Sequence, residues 1–258
     1  MGESPSLVVE LWYAEAPDLT DPQLLDELRV IAPATERQEG SLVVPHGAAV
    51  DGVPPLLTAV VAASPVGEGG KQLPEVSQTW DWPGADEALD RCRSAVLVSE
   101  MFADGFDAEE RVSALAAVVR VLSRLTHPVL ISWPLSQRVV DPERNADDLD
   151  GVINIRLFTV AGDETALVMD SLGLHIFGLP DVQCHFRGRE PAEIAALLHS
   201  TATYLFDAGD VIADGNTISS LDGVETYMCR RERALVAPAR SVLDVDLGDP
   251  YAAGDRDR

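Results

Sequence analysis

Short apolar runs and amphipathic stretches alternate along the chain, with turn residues between them. Leu7 to Tyr13 reads as a strand, and Asp21 as N-cap with Pro22 at the first helical position predicts a helix through Ile31. Leu42 to Val44 and Leu56 to Ala62 lie between Gly, Pro and Asp and predict two further strands. Asp86 to Arg93 predicts a short helix that feeds a strand at Ala95 to Met101. The clearest helix begins at Asp107, where the N-cap and Glu110 three residues later form a capping-box pair. Behind it Val112, Leu115, Val119 and Leu122 recur at spacings of 3, 4 and 3, which predicts one buried stripe. A strand at Val129 to Trp133 is bounded by Pro128 and Pro134.

The order so far is βαββαβαβ, which contains the βαββαβ pattern of a ferredoxin-like sandwich with a helix and a strand added. Residues 135–151 are polar, rich in acids and broken by proline, and read as a linker. Beyond them strands dominate. Ile153, Ile155 and Leu157 alternate with Asn154 and Arg156, and Ala166 to Phe177 and Val182 to Arg187 flank a turn at Gly178 to Asp181, which reads as a hairpin. Pro191 opens a helix to about Phe206, and strands near Val211 to Ser219, Val224 to Arg231 and Val242 to Leu247 follow. The expected class is α+β: a ferredoxin-like module over 1–134, an acidic linker over 135–151, a mainly antiparallel module with one long helix over 152–247, and a disordered tail over 248–258.

Charge narrows the function. The 258 residues hold 43 acids against 19 Lys and Arg, a net charge of −24. Residues 1–150 contribute 26 acids and 10 bases, so the first module is the more acidic. Nucleic acid and anionic membrane surfaces are repelled by such a chain, whereas a basic protein is attracted. No apolar run reaches the ~20 residues of a membrane span, and the first residues lack the basic start of a signal peptide. Three scattered cysteines, Cys92, Cys184 and Cys229, do not make a disulfide framework, and the expected location is the cytoplasm.

Several segments resemble a known family. The run MDSLGLHIFGLPDVQCHF at 169–186, the helix opening Glu190, Pro191, Ala192, Glu193, and FDAGDVIADGNTI at 206–218 are similar to the bacterial domain of unknown function 4261. AVLVSE at 95–100, the Arg111-bearing helix and VLISWPLSQ at 129–137 extend the likeness over most of residues 7–247. That family has no established activity, so the resemblance implies a shared fold and an intracellular bacterial setting, with no catalytic roles to carry over.

Candidate chemistry is sparse. His175 and His185 flank the expected hairpin turn, and with Asp170 and Asp181 they form the nearest approach to a metal constellation. Register decides it: an even loop sets His175 opposite Cys184, and a three-residue loop sets the two imidazoles face to face. The plainer reading is that each histidine is a half-buried strand residue bonded locally, and no metal or cofactor is expected. Asp207, Asp210 and Asp214 do not follow an EF-hand spacing, and Asp214, Gly215 and Asn216 suit a tight turn. Cys92 between Arg91 and Arg93 sits where a thiolate is favoured, though a buried structural thiol is the simpler reading. Trp80 and Trp82 flank Asp81 in a loop-like stretch and, with Asp147, Asp148 and Asp150, are candidates for binding a partner. The function expected is a noncatalytic interaction protein, for example an immunity or antitoxin-like acidic partner of a basic protein. The alternative is a hydrolase or metal-dependent enzyme using His175 and His185.

Overall fold

A computed structural model describes residues 5–49, 53–65, 73–143 and 149–254. The chain forms two compact units, Met1–Val152 and Ile153–Arg258, both mixed α and β.

In the first unit the elements are β1 (Val8–Tyr13), α1 (Pro22–Ile31), β2 (Glu36–Gln38), β3 (Ser41–His46), β4 (Leu56–Pro65), a 3-10 turn (Pro74–Gln78), α2 (Ala85–Arg91), β5 (Ser94–Met101), α3 (Ala108–Thr126), β6 (Leu130–Trp133) and β7 (Arg138–Val140). They build a sheet of order β2-β3-β4-β5-β1-β6-β7. Its inner strands β6-β1-β5-β4 have antiparallel neighbours throughout, the order that a βαββαβ chain produces. The sheet is larger than the five-stranded expectation, with β2 added beyond β3 and β7 added beyond β6. The helix caps are those anticipated: Asp21 accepts from the Gln23 amide, and Asp107 and Glu110 make the reciprocal capping box. Val112, Leu115, Val119 and Leu122 are all buried.

One face of this sheet carries Val9, Leu11, Val96 and Val98, buried beneath the helices, where the Tyr13 hydroxyl meets Thr126 of α3 at 2.8 Å. Glu100 also points to that face. Its carboxylate pairs with buried Arg111 of α3 and accepts from the Leu7 amide at 2.6 Å, so it ties the first strand to the longest helix. Among the described residues the opposite face is covered at one end, where Trp12, Ala95 and Val139 pack under Leu73, Val76, Ala85 and Ala88.

The second unit contains β8 (Asn154–Val160), β9 (Asp163–Leu172), a 3-10 turn (Leu174–Phe177), β10 (Asp181–Arg187), α4 (Pro191–Ala208), β11 (Thr217–Ser219), β12 (Thr226–Arg233) and β13 (Ser241–Asp246). The sheet order is β11-β12-β13-β10-β9-β8, antiparallel except where β10 meets β13. Buried Val182, Cys184 and Phe186 share one face of β10, and α4 packs against β8, β9 and β10 with buried Ile194, Leu198 and Leu205.

Three expectations need correction. Residues 138–140, inside the expected linker, form β7 and pair with β6, and the division between units falls at Val152. Apolar Val139 and Val140 are buried, which outweighs the polar character of the surrounding stretch. The expected tail is ordered through residue 254: Tyr251 accepts from the Arg187 amide, Ala253 donates to the His185 carbonyl, and Arg189 lies 4.0 Å from the Tyr251 ring centroid. The hairpin register is also different. The chain leaves the sheet at Gly173, whose φ of 145° is open to glycine, and His175 sits in the 3-10 turn rather than on a strand. Cys184 then faces Met169 and His185 faces Val168.

Candidate functional site

The second face of the second sheet is polar and buried. Arg156 of β8 stands opposite Asp170 of β9, Asp170 opposite Gln183 of β10, Gln183 opposite Asp244 of β13, and Asp244 opposite Arg230 of β12. Strand register therefore lays one row of polar side chains across five strands.

Buried charges must find partners, and Asp170 and Asp181 do. Asp170, fully buried, accepts from Arg156 Nε and Nη2 at 2.9 and 2.7 Å and from Arg240 Nη2 at 2.8 Å. Asp181, also fully buried, accepts from Ser171 Oγ, the Leu174 amide and Arg240 Nε, at 3.1, 3.0 and 2.8 Å. His175 donates Nδ1–H to the second oxygen of Asp181 at 3.0 Å and keeps 30% of its side chain exposed. The β12–β13 connection is fastened over this row. Leu235 donates its amide to Gln183 Oε1 at 2.7 Å, Arg156 donates to the Ala237 carbonyl, and Arg240 donates to the carbonyls of Val236 and Pro238.

His175, Asp170 and Asp181 thus do come together, but around arginines. The carboxylate oxygens that a cation would need are hydrogen-bonded already, to guanidinium groups and, for Asp181 Oδ1, to Ser171 and the Leu174 amide. His185 is placed elsewhere on β10, its carbonyl held by Ala253. Among the described residues no group of three or more His, Cys, Asp or Glu is arranged to hold a metal ion.

Residues 170–246, which hold most of this network, match the model of a family described as domain of unknown function (DUF4261). Over this stretch the chain is similar to the DUF4261 family. No curated protein and no solved structure matches the chain. The likeness read across residues 7–247 is thus matched only in the second unit. Of the network, Arg156 alone precedes the DUF4261 match, although it is the main partner of Asp170.

A second polar group lies in the DUF4261 stretch, in a cleft of about 150 Å³ lined by Arg189, Glu193, Ser220, Glu225 and Tyr227. Glu225 accepts from Arg189 at 2.5 Å and from the Tyr227 hydroxyl at 2.7 Å. These hydrogen bonds hold its carboxyl below the usual range, while burial and Glu225 push the Tyr227 phenol up to about 12.

The remaining candidates fall as follows. Asp210 pairs with Arg231, and Asp214 accepts the Arg231 amide at 2.7 Å, so both carboxylates serve a turn. Cys92 is buried, its thiol donates to the Ala88 carbonyl, and burial raises it to about 11 despite Arg91 and Arg93. Trp82 packs against the cluster beneath α2, while Trp80 is 43% exposed. Asp81 is clasped by Arg138 through two bonds of 2.8 and 2.6 Å. Arg138 also donates to the Asp150 carbonyl, and Asp147 and Asp148 lie outside the described residues. No helix among the described residues is long and apolar enough to cross a membrane.

Proposed function

We propose that the protein is a noncatalytic binding protein that docks a basic partner protein on the open end of its first sheet. One observation carries this reading. Outward positions of β4 and β5 are apolar apart from Ser99, and Val61, Leu97 and Met101 are 40%, 37% and 44% exposed. The pairs Val61–Leu97 and Leu57–Met101 carry the patch across both strands, with Ala59 and Ser99 between them. A solvated face of an antiparallel sheet ordinarily carries polar residues, and a contiguous apolar patch marks an interaction site.

Charge selects the occupant. Two copies of a chain at −24 repel each other, whereas a basic protein is drawn in and oriented by the same field. Glu10, paired with Leu97 across β1 and β5, sets a carboxylate beside the patch, and Trp80 follows the 3-10 turn that covers its neighbouring end. An immunity or antitoxin-like role in the cytoplasm is the concrete form of this reading. The test is parallel capture from the native host with the natural chain and a Leu97→Glu/Met101→Glu variant, followed by mass spectrometry. The expected result is one basic protein near 1:1, retained at low salt, released at high salt and missing from the variant. An identical capture profile for both chains would defeat the proposal.

The Asp181–His175 contact favours a second reading, a hydrolase in which Asp181 orients His175 as a general base. Loss of ester hydrolysis by His175→Ala with an unchanged melting temperature is its requirement.

A further inference from the structure

A cleft of about 570 Å³ opens beside the C-terminal half of α3 in the first unit, a size suited to a small molecule. Its walls are of two kinds. Ile31, Val121, Pro128 and Pro142 supply an apolar surface, while Arg120, Arg124 and His127 supply cationic or ionisable groups. Arg120 and Arg124 are spaced to share one face of α3, and His127 caps its C-terminus. Glu143 is the acid that lines the same cleft among the described residues.

This clustering runs against the composition around it, since residues 1–150 hold 26 acids and 10 bases. Basic residues in a last helical turn complement the partial negative charge of the helix end, which accounts for Arg124 and His127. Arg120 stands nearly two turns from the end of α3 at Thr126, where that effect has faded. Arg124 is held by Glu27 of α1 at 2.8 Å, a solvent-exposed pair of little energetic weight that positions the guanidinium and exchanges readily for another anion. Two guanidinium groups and apolar side chains lining one cleft suit an oxyanion head on a hydrophobic body.

We infer that this cleft binds a small amphiphilic anion, a carboxylate or phosphate carried on an apolar group about the size of a fused aromatic ring. Arg120 and Arg124 receive the oxyanion, and the apolar wall from Ile31 to Pro142 receives the body. The site is separate from the open sheet face, so it stands whether or not a protein docks there.

The experiment is a titration of the ¹⁵N-labelled full chain with 1-naphthyl phosphate, 1-naphthoate and neutral 1-naphthalenemethanol. Saturable shifts are expected around residues 117–127 and at Ile31 and Glu143 with one or both anions, and the two anions distinguish a phosphate from a carboxylate head. The neutral alcohol and an Arg120→Gln/Arg124→Gln variant should each bind more than about tenfold more weakly. A Leu97→Glu variant should bind as the natural chain does. Equal binding of the alcohol, undiminished binding by the arginine variant, or no saturation by about 10 mM of either anion would overturn the inference. So would shifts confined to β4 and β5.

Discussion

The two sheets treat their second faces in opposite ways. In the first, the outward side chains of Val61, Leu97 and Met101 on β4 and β5 are apolar and exposed. In the second, the corresponding positions are polar and buried, with Arg156, Asp170, Gln183 and Asp244 beneath the β12–β13 connection. Each inverts the usual rule that apolar groups go inside and polar groups outside. Their consequences differ. Asp170 and Asp181 are satisfied by arginines of their own unit, so the row specifies register and connection within it. The apolar patch has little to gain from its own unit and most to gain from being covered by something else.

The sharpest way to break this contrast is Asp170→Ala. It leaves Arg156 and Arg240 buried without their shared carboxylate, and a stability loss of about 3 to 5 kcal/mol is expected in urea melts. A small loss would mean that the row is solvated and that the contrast is false. Next comes Leu115→Ala, which opens a cavity under the covered face of the first sheet and should cost about 2 to 5 kcal/mol.

These two sites differ in how readily they can be read from sequence. Leu115 belongs to a local stripe of helical spacing, and the cap at Asp107 marks where that stripe begins, so the helix and its buried face were legible. Asp170 and Asp181 were legible as candidates because carboxylates near histidines stand out. Their true partners were not. Arg156 reads as the solvent side of a half-buried strand, and Arg240 lies 59 positions beyond Asp181. Only the register of five strands brings them together, and register is non-local. The hairpin misled for a related reason, since turn residues at Gly178 to Asp181 do not reveal that the chain has already left the sheet at Gly173.

A smaller effect sharpens the first unit's boundary. A Cβ placed on Gly151 would lie 1.9 Å from Trp133 Nε1, so Gly151→Ala must displace the indole, at a cost of about 1 to 3 kcal/mol. Tryptophan fluorescence should shift with it. The smallest expected effect is Leu97→Ser, which should alter stability by less than about 0.5 kcal/mol because the side chain is already partly exposed. A large loss would show that the patch supports the fold and is not held open for a partner.

The parallel pairing of β10 with β13 also bears on synthesis. Asp181 aligns with Val242 and Gln183 with Asp244, and α4, β11 and β12 are all made between the two strands. On the ribosome, β8, β9 and β10 can pair as they emerge, yet one edge of β10 stays bare until β13 has cleared the exit tunnel. Asp170 and Asp181 wait over the same interval for Arg240. A nascent chain paused near residue 230 therefore presents an unpaired strand edge to its neighbours on the polysome, where edge-to-edge association is the hazard.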